Sequence, residues 1–280
     1  MLKRYLLFAI LLPVLSAAQE AKVMTWNLGG FEAIPPDRIK NLAKVIAEIQ
    51  PDLIAVQEMT PLENFQALVQ ELNTLGFAYK ARHLTVSKRQ VLGFIAREGV
   101  WVARLRLVKG SDDGNKFLRK ALVATCRIHN FDFYAVNLHL KANRTKSDRE
   151  TRTRQCTVLS KYLDKATGKK EKDAVILGDY NMVPGQDQVN FDALTSPGYP
   201  LSFVSDAFIG RASHLSKTGG GNLLDGFAVS SVHSPEYIPD SITLFESNHL
   251  FPDTSTAFHI DHVSDHLPMF ARFNASLDDD

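Results

Sequence analysis

Cysteine is scarce. Only Cys126 and Cys156 occur in 280 residues, so neither a disulfide framework nor a cysteine-built zinc site can hold this chain together. The two fall on different expected elements, a strand and a helix, which leaves open both one disulfide and two separate buried thiols. A charge surplus is also missing. Lys and Arg total 32 against 31 Asp and Glu, a formal charge of +1, so any attraction to phosphate must come from local patches. No internal repeat or low-complexity tract is present, which excludes solenoids, arrays and collagen-like chains. What the sequence does have is 45% hydrophobic residues, enough to bury the core of one large domain.

The longest apolar run, Tyr5 to Leu15, is short for a membrane span of about 20 residues. It follows Met1-Leu2-Lys3-Arg4 and precedes the small residues Ser16-Ala17-Ala18. That layout predicts a secretory signal peptide over 1–18, with an uncleaved anchor as the alternative. The expected product is a single domain over 19–280, secreted or periplasmic, monomeric and without a stable membrane span.

Patterning predicts the elements. Lys22 to Leu28 reads as a strand. Ile39, Leu42, Val45, Ile46 and Ile49 have helical spacing behind Asp37, and Pro51 ends that helix. Strands are expected at Asp52 to Glu58, Phe77 to Ala81, Val91 to Ala96, Val100 to Val108, Leu118 to Ile128, Phe131 to Leu138, Asp173 to Leu177, Leu223 to Ser230 and Leu267 to Phe273. Helices are expected from Pro61 to Leu75 and after Arg149. Pro197 to Gly221, rich in Gly, Ser and Pro, reads as loop. Early α/β alternation with hairpins in the middle argues an α/β (α+β) domain with helices outside mixed sheets.

Polar residues recur at the ends of these apolar strands: Asn27, Glu58, Asn137 and His139, Asp179 and Asn181, then Asp225, Asp265 and His266. One Asp or Asn after a strand is ordinarily a turn residue. The set is more informative, because carboxylates, amides and histidines are what a hard-metal site with acid/base help requires.

The motifs carrying these residues resemble the endonuclease/exonuclease/phosphatase superfamily. Thr25-Trp26-Asn27, Val56-Gln57-Glu58, Asn137-Leu138-His139-Leu140, Gly178-Asp179-Tyr180-Asn181, Leu224-Asp225 with Val229-Ser230, and Ser264-Asp265-His266-Leu267-Pro268 follow the family's order. The resemblance implies a four-layer sandwich of two mixed β-sheets packed face to face with outer helices. It implies Glu58 as principal metal ligand, with Asn27 and Asp265 close to the ion, Mg²⁺ or its substitute Mn²⁺. His139 and His266 would flank a scissile phosphate, and Asp225 would hold His266. Asp179 would orient or deprotonate the attacking water, while Asn181 would bind a phosphate oxygen. Two departures weaken transfer of substrate from particular branches. Thr60 stands where the deoxyribonuclease branch has Arg, and Lys88-Arg89-Gln90 where some relatives have Tyr.

Basic residues follow His139: Lys141, Arg144, Lys146, Arg149, Arg152 and Arg154. With Arg89, the residues Lys141, Arg144 and Lys146 are the expected phosphate-binding cations, forming a track for nucleic acid; a solvated helix face is the competing explanation. The expected activity is therefore Mg²⁺-dependent hydrolysis of nucleic-acid phosphodiesters. Alternatives are lipid, sphingomyelin or sugar/inositol phosphates, or a non-catalytic binding module on this fold. Membrane contact would want an exposed apolar hairpin; Ser247 to Phe258, with Leu250, Phe251 and Phe258, is only a weak candidate, and those side chains are expected to pack in the interior.

Overall fold

A computed structural model describes residues 19–30, 35, 37–85, 91–167 and 171–276. The expected signal peptide at 1–18 and the cation Arg89 lie outside the described residues. In chain order the elements are β1 (Glu20–Asn27), α1 (Arg38–Ile49), β2 (Leu53–Gln57), α2 (Leu62–Thr74), β3 (Tyr79–Thr85), β4 (Val91–Arg97) and β5 (Trp101–Leu107). There follow β6 (Leu122–Ile128), β7 (Phe131–His139), α3 (Lys146–Ala166), β8 (Ala174–Asp179), α4 (Gln188–Leu194) and β9 (Leu201–Phe203). The last are β10 (His214–Leu215), β11 (Gly221–Asn222), β12 (Asp225–Ser230), β13 (Thr243–Leu244), α5 (Thr256–His262) and β14 (Met269–Asn274).

Two six-stranded sheets result, ordered β13-β14-β1-β2-β4-β3 and β5-β6-β7-β8-β12-β9. Each has one parallel pair, β1 with β2 and β7 with β8, and antiparallel pairing elsewhere. A parallel pair needs a crossover, and α1 and α3 supply it.

Side-chain alternation builds three apolar layers. In β1, Ala21 and Val23 enter the core between the sheets, while Met24 and Trp26 face α1 and α2. In β7, Phe131, Phe133 and Ala135 face the first sheet, while Val136 and Leu138 face α3 and α4. Phe131 stacks on Phe133 and Phe273 at 4.5 and 4.9 Å between ring centres, which binds β14 to the second sheet. The arrangement is the expected four-layer sandwich.

Several local expectations need correction. Residues 118–121 do not extend β6, because the chain there turns around Asn115. The segment 197–221 is not all loop: it contains β9, a 3-10 turn at Val204–Phe208 and β10. The helices α4 and α5 were not expected. As expected, the apolar side chains of Ser247 to Phe258 pack inward: Phe251 is buried, and Leu250 and Phe258 lie against the layer under α1. Cys126 lies in the core between the sheets and Cys156 in the layer beneath α3, both as free thiols. Among the described residues, no helix is long and apolar enough to cross a membrane.

Candidate active site

Parallel strands end on the same side, so both crossover units deliver their C-terminal residues to one rim. Asn27 ends β1 and Glu58 follows β2, while His139 ends β7 and Asp179 ends β8. Asp225 begins β12 directly opposite Asp179. The segment 264–268 enters β14 beside β1, bringing His266 to the same rim.

The carboxylate of Asp179 is the focus. Its Oδ2 accepts a hydrogen bond from Asn27 Nδ2 at 3.1 Å and has His139 Nε2 at 3.5 Å and His266 Nε2 at 4.0 Å. Its Oδ1 accepts from Asn181 N at 2.9 Å. Glu58 Oε1 lies 3.5 Å from the same His139 nitrogen and accepts from Asn27 Nδ2 at 3.3 Å. On the far side His266 Nδ1 donates to Asp225 Oδ2 at 2.7 Å. The structure thus brings Asn27, Glu58, His139, Asp179, Asn181, Asp225, Asp265 and His266 to one rim.

Backbone geometry at this rim is unusual. Glu58 (φ 57°) and Asn181 (φ 51°), each just beyond a strand of a parallel pair, adopt the left-handed conformation, which costs a non-glycine residue of order 1 kcal/mol or more. Gly178 has φ +141°, and a Cβ there would meet the Leu138 carbonyl oxygen at 2.1 Å. Only glycine lets β8 run this close to β7, which explains the Gly before Asp179. Gly29 and Gly30 also have positive φ. A Cβ would meet Asp265 Oδ1 at 2.6 Å from the first and Glu58 Oε2 at 2.9 Å from the second.

Electrostatics divides the two histidines. Burial opposes charge on His266, but Asp225, with Asp179 and Asp265, outweighs it and raises the pKa to about 10, so this imidazole is a cation near neutral pH. His139 moves the other way. Burial, then Arg119 and His266, push its pKa well below the ordinary histidine range. Its approaches to Glu58 and Asp179 are accordingly not ion pairs. Asp179 is raised above the usual carboxylate range by burial, then by Asp225 and Glu58, against the pull of His266 and Arg119.

A hard divalent cation fits the donor set of this rim. Glu58 is half-exposed, and Asp265 Oδ1 is buried with no hydrogen-bond partner among the described residues. Among the described residues, side-chain atoms able to hold a cation form two groups, each with its atoms within 4.8 Å of one another: Glu58, His139 and Asp179, and His214, Asp265 and His266. Of the expected trio, Glu58 belongs to the first group and Asp265 to the second, and Asn27 lies between Asp179 and Glu58. Asn27 Oδ1, the atom an ion would need, accepts from Gly29 N at 3.0 Å. Asn181 turns its Nδ2 toward Leu140 O at 3.3 Å.

The basic segment is largely neutralised internally. Lys141 pairs with Asp148 at 2.7 Å. Buried Asp187 has Arg144 at 3.4 Å, Arg149 at 3.1 Å and fully buried Arg152 at 3.4 Å. Arg154 pairs with Asp113 at 2.8 Å. Lys146 is exposed and makes no ion pair among the described residues.

Three residues not anticipated from sequence contribute. Arg119 donates through Nε to His139 O at 3.1 Å and through Nη2 to Leu140 O, placing a cation near Asp179 and Glu58. Buried Arg38 donates to Val263 O at 2.8 Å and Leu28 O at 2.9 Å, tying the turn after β1 to the segment before Asp265. His214 packs edge-on against His266 with ring centres 4.8 Å apart. Arg119 stood in a stretch read as strand and His214 in one read as loop, and neither belongs to a recognised motif, so the sequence carried no signal for either.

Solved structures share this architecture. The chain resembles D. rerio TDP2 complexed with single strand DNA product, at TM-score 0.64 and 20% identity over 91% of this chain and 99% of that one. It resembles the human Nocturnin catalytic domain with bound sulfate anion at TM-score 0.65 and 18% identity, over 91% and 94% of the two chains. It also resembles a mannosyl-6-phosphatase of Bacteroides thetaiotaomicron at TM-score 0.66 and 15% identity, over 90% and 98%. These identities speak for the fold alone. No curated protein matches the sequence. Residues 24–266, from β1 to the terminal histidine, carry the sequence pattern of the Endonuclease/Exonuclease/phosphatase family, and the chain belongs to that family.

Proposed function

We propose that this protein is an exported, Mg²⁺-dependent phosphoric ester hydrolase, with nucleic-acid phosphodiesters as its first substrate class. The observation that carries this reading is His266, bonded through Nδ1 to Asp225 at 2.7 Å with its Nε2 4.0 Å from Asp179, which shares His139 with Glu58.

The chemistry follows from these groups. His266 Nε2–H faces the cleft and donates to a phosphoryl oxygen or to the departing alkoxide. Asp179 has a raised pKa, so it suits a base that orients the attacking water and takes its proton. Neutral His139 contacts the phosphate without adding charge, and Arg119 supplies a fixed positive field behind it. Glu58 and Asp265 would hold the ion, with Mn²⁺ as a substitute. When bound, Mg²⁺ neutralises charge that develops on the phosphoryl oxygens.

A second substrate class is favoured by one specific finding. The cations after β7 are mostly bound to Asp148, Asp187 and Asp113, which leaves less free charge for a polyanion track than the sequence suggested. A small phosphomonoester needs no such track, and one structural neighbour is a mannosyl-6-phosphatase. A panel of plasmid DNA, single-stranded DNA, RNA and a sugar phosphate, run in Mg²⁺ and then in chelator, separates the two. Chelator-sensitive cleavage of DNA or RNA is expected. Turnover confined to the sugar phosphate would move the protein to the second class, and no turnover at all would remove the hydrolase reading.

A further inference from the structure

The geometry points to a second cation site, formed by His214, Asp265 and His266, that takes a borderline first-row ion such as Zn²⁺, Co²⁺ or Mn²⁺ in preference to Mg²⁺. One nitrogen from each histidine and one carboxylate oxygen lie within 4.8 Å of one another. Side chains of this kind often approach on a surface without consequence, so what holds them in place matters.

Here the backbone does the holding. His214 in β10 stands directly opposite His266 in an antiparallel bridge. Leu215 N donates to Asp265 O and Leu267 N to Ser213 O, both at 2.7 Å, on either side of that pair. The two histidines are therefore a non-hydrogen-bonded pair, the arrangement that brings opposed side chains closest and leaves them on one face. Buried Ser213 fixes the strand from behind, its Oγ accepting from Leu224 N and Asp225 N at 3.0 Å each.

Two further features face an ion. His266 is almost wholly buried and its Nδ1 is taken by Asp225, so Nε2 is the nitrogen turned to the cleft, where it makes no hydrogen bond among the described residues. A carboxylate behind the imidazole is the usual support of a metal-bound histidine. Asp265 divides its oxygens. Oδ1 is buried beside Gly29, without a hydrogen-bond partner among the described residues, while Oδ2 lies 3.8 Å from His214 Nε2.

Donor chemistry sets the preference. Two imidazoles and one carboxylate bind zinc-like ions well, whereas Mg²⁺ favours oxygen ligands and keeps its waters. On the function proposed above, an ion on Nε2 replaces the proton carried there, which is released to solvent, and withdraws His266 from the phosphate, so occupancy turns the site off. Binding itself can be measured without turnover, which keeps the two ideas separable.

The test is a titration of the full chain, stripped with chelator and held in excess Mg²⁺, with Co²⁺ followed by its visible absorption and with Zn²⁺ by competition. The wild type should bind one Co²⁺ or Zn²⁺ despite the Mg²⁺. His214→Ala should weaken that binding at least tenfold, and Glu58→Gln should leave it within about twofold. Equal affinity in wild type and His214→Ala, or loss in Glu58→Gln alone, would overturn the proposal. Should His214→Ala not fold, the wild type suffices: on Zn²⁺ addition the imidazole ¹⁵N signals of His214 and His266 should shift together, and a shift at His139 instead would refute it.

Discussion

Gln57 Nε2 donates to Asn137 Oδ1 at 2.8 Å, joining β2 of the first sheet to β7 of the second directly beneath the active-site rim. Both residues are fully buried. Asn137 Nδ2 also donates to Val56 O at 3.1 Å and Gly93 O at 3.0 Å, and Gln57 Nε2 reaches Thr25 Oγ1 at 3.1 Å. Glu58 and His139 lie one and two residues beyond this clip, so it sets their spacing.

Asn137→Ala should therefore cost about 2–4 kcal/mol, since it leaves a buried amide and two carbonyls without their partner. Urea unfolding measures this. A loss below about 0.5 kcal/mol would show that the sheets hold their separation without the clip.

Removing the Asp225 charge should remove the cation on His266. The raised pKa of about 10 depends on that carboxylate overcoming burial. In Asp225→Asn the imidazole should be neutral at pH 7, with the basic limb of kcat/KM moved toward acid and kcat at pH 7 down by about 10²–10⁴. A pH–rate profile and an NMR titration of His266 check both parts. An unmoved limb would mean that His266 acts in the neutral form.

Glu58→Gln should raise the Mg²⁺ concentration for half-maximal activity by about 10–100-fold, a typical loss for a damaged metal site. Activity titrations of wild type and variant with Mg²⁺ give the comparison. Superimposable curves would place the ion elsewhere.

His259 should make stability depend on pH. It is fully buried, with Nε2 on Ser247 Oγ at 2.7 Å and Nδ1 on Ser264 O at 2.6 Å, and burial lowers its pKa to about 4. The unfolded chain takes up this proton near pH 6.5 and the folded one only near 4, so folding is progressively disfavoured as pH falls through that window. The stability gap between wild type and His259→Gln should shrink by up to about 3 kcal/mol from pH 7 to 4. A gap independent of pH would show that His259 takes up its proton as readily in the folded chain as in the unfolded one.

If the substrate is nucleic acid, Lys146→Ala should lower the slope of log K against log salt by about 1, and Arg144→Ala by less, because Arg144 already serves Asp187 and Gln186. Binding at several salt concentrations decides this. Equal slopes in both variants and wild type would leave the face after β7 without phosphate contacts.

Legibility in the sequence followed the range of the interaction. The strand-end residues were readable because each apolar run carries its polar residue within two positions of its end, and the six motifs kept their order. Gly178 was readable as part of a motif, although its reason, the closeness of Leu138 O, is a contact between strands. His214 was not readable, since only the bridge to His266 gives it meaning and its Gly- and Ser-rich neighbours imitate a loop. Arg119 was hidden by assigning 118–121 to a strand. The cations after His139 were counted correctly, but a count of charges carries no information about Asp187, whose buried carboxylate collects three arginines.

The positions of the two cysteines have a practical consequence. Cys126 and Cys156 occupy opposite faces of one sheet, and burial raises both thiols far above neutrality, Cys156 to about 12. Neither can reach the other without dismantling the sheet, and neither is a reactive thiolate while the chain is folded. Refolding from denaturant should therefore go better in reductant than in air, because a bridge formed between the two exposed thiols of the unfolded chain has no place in the folded sheet.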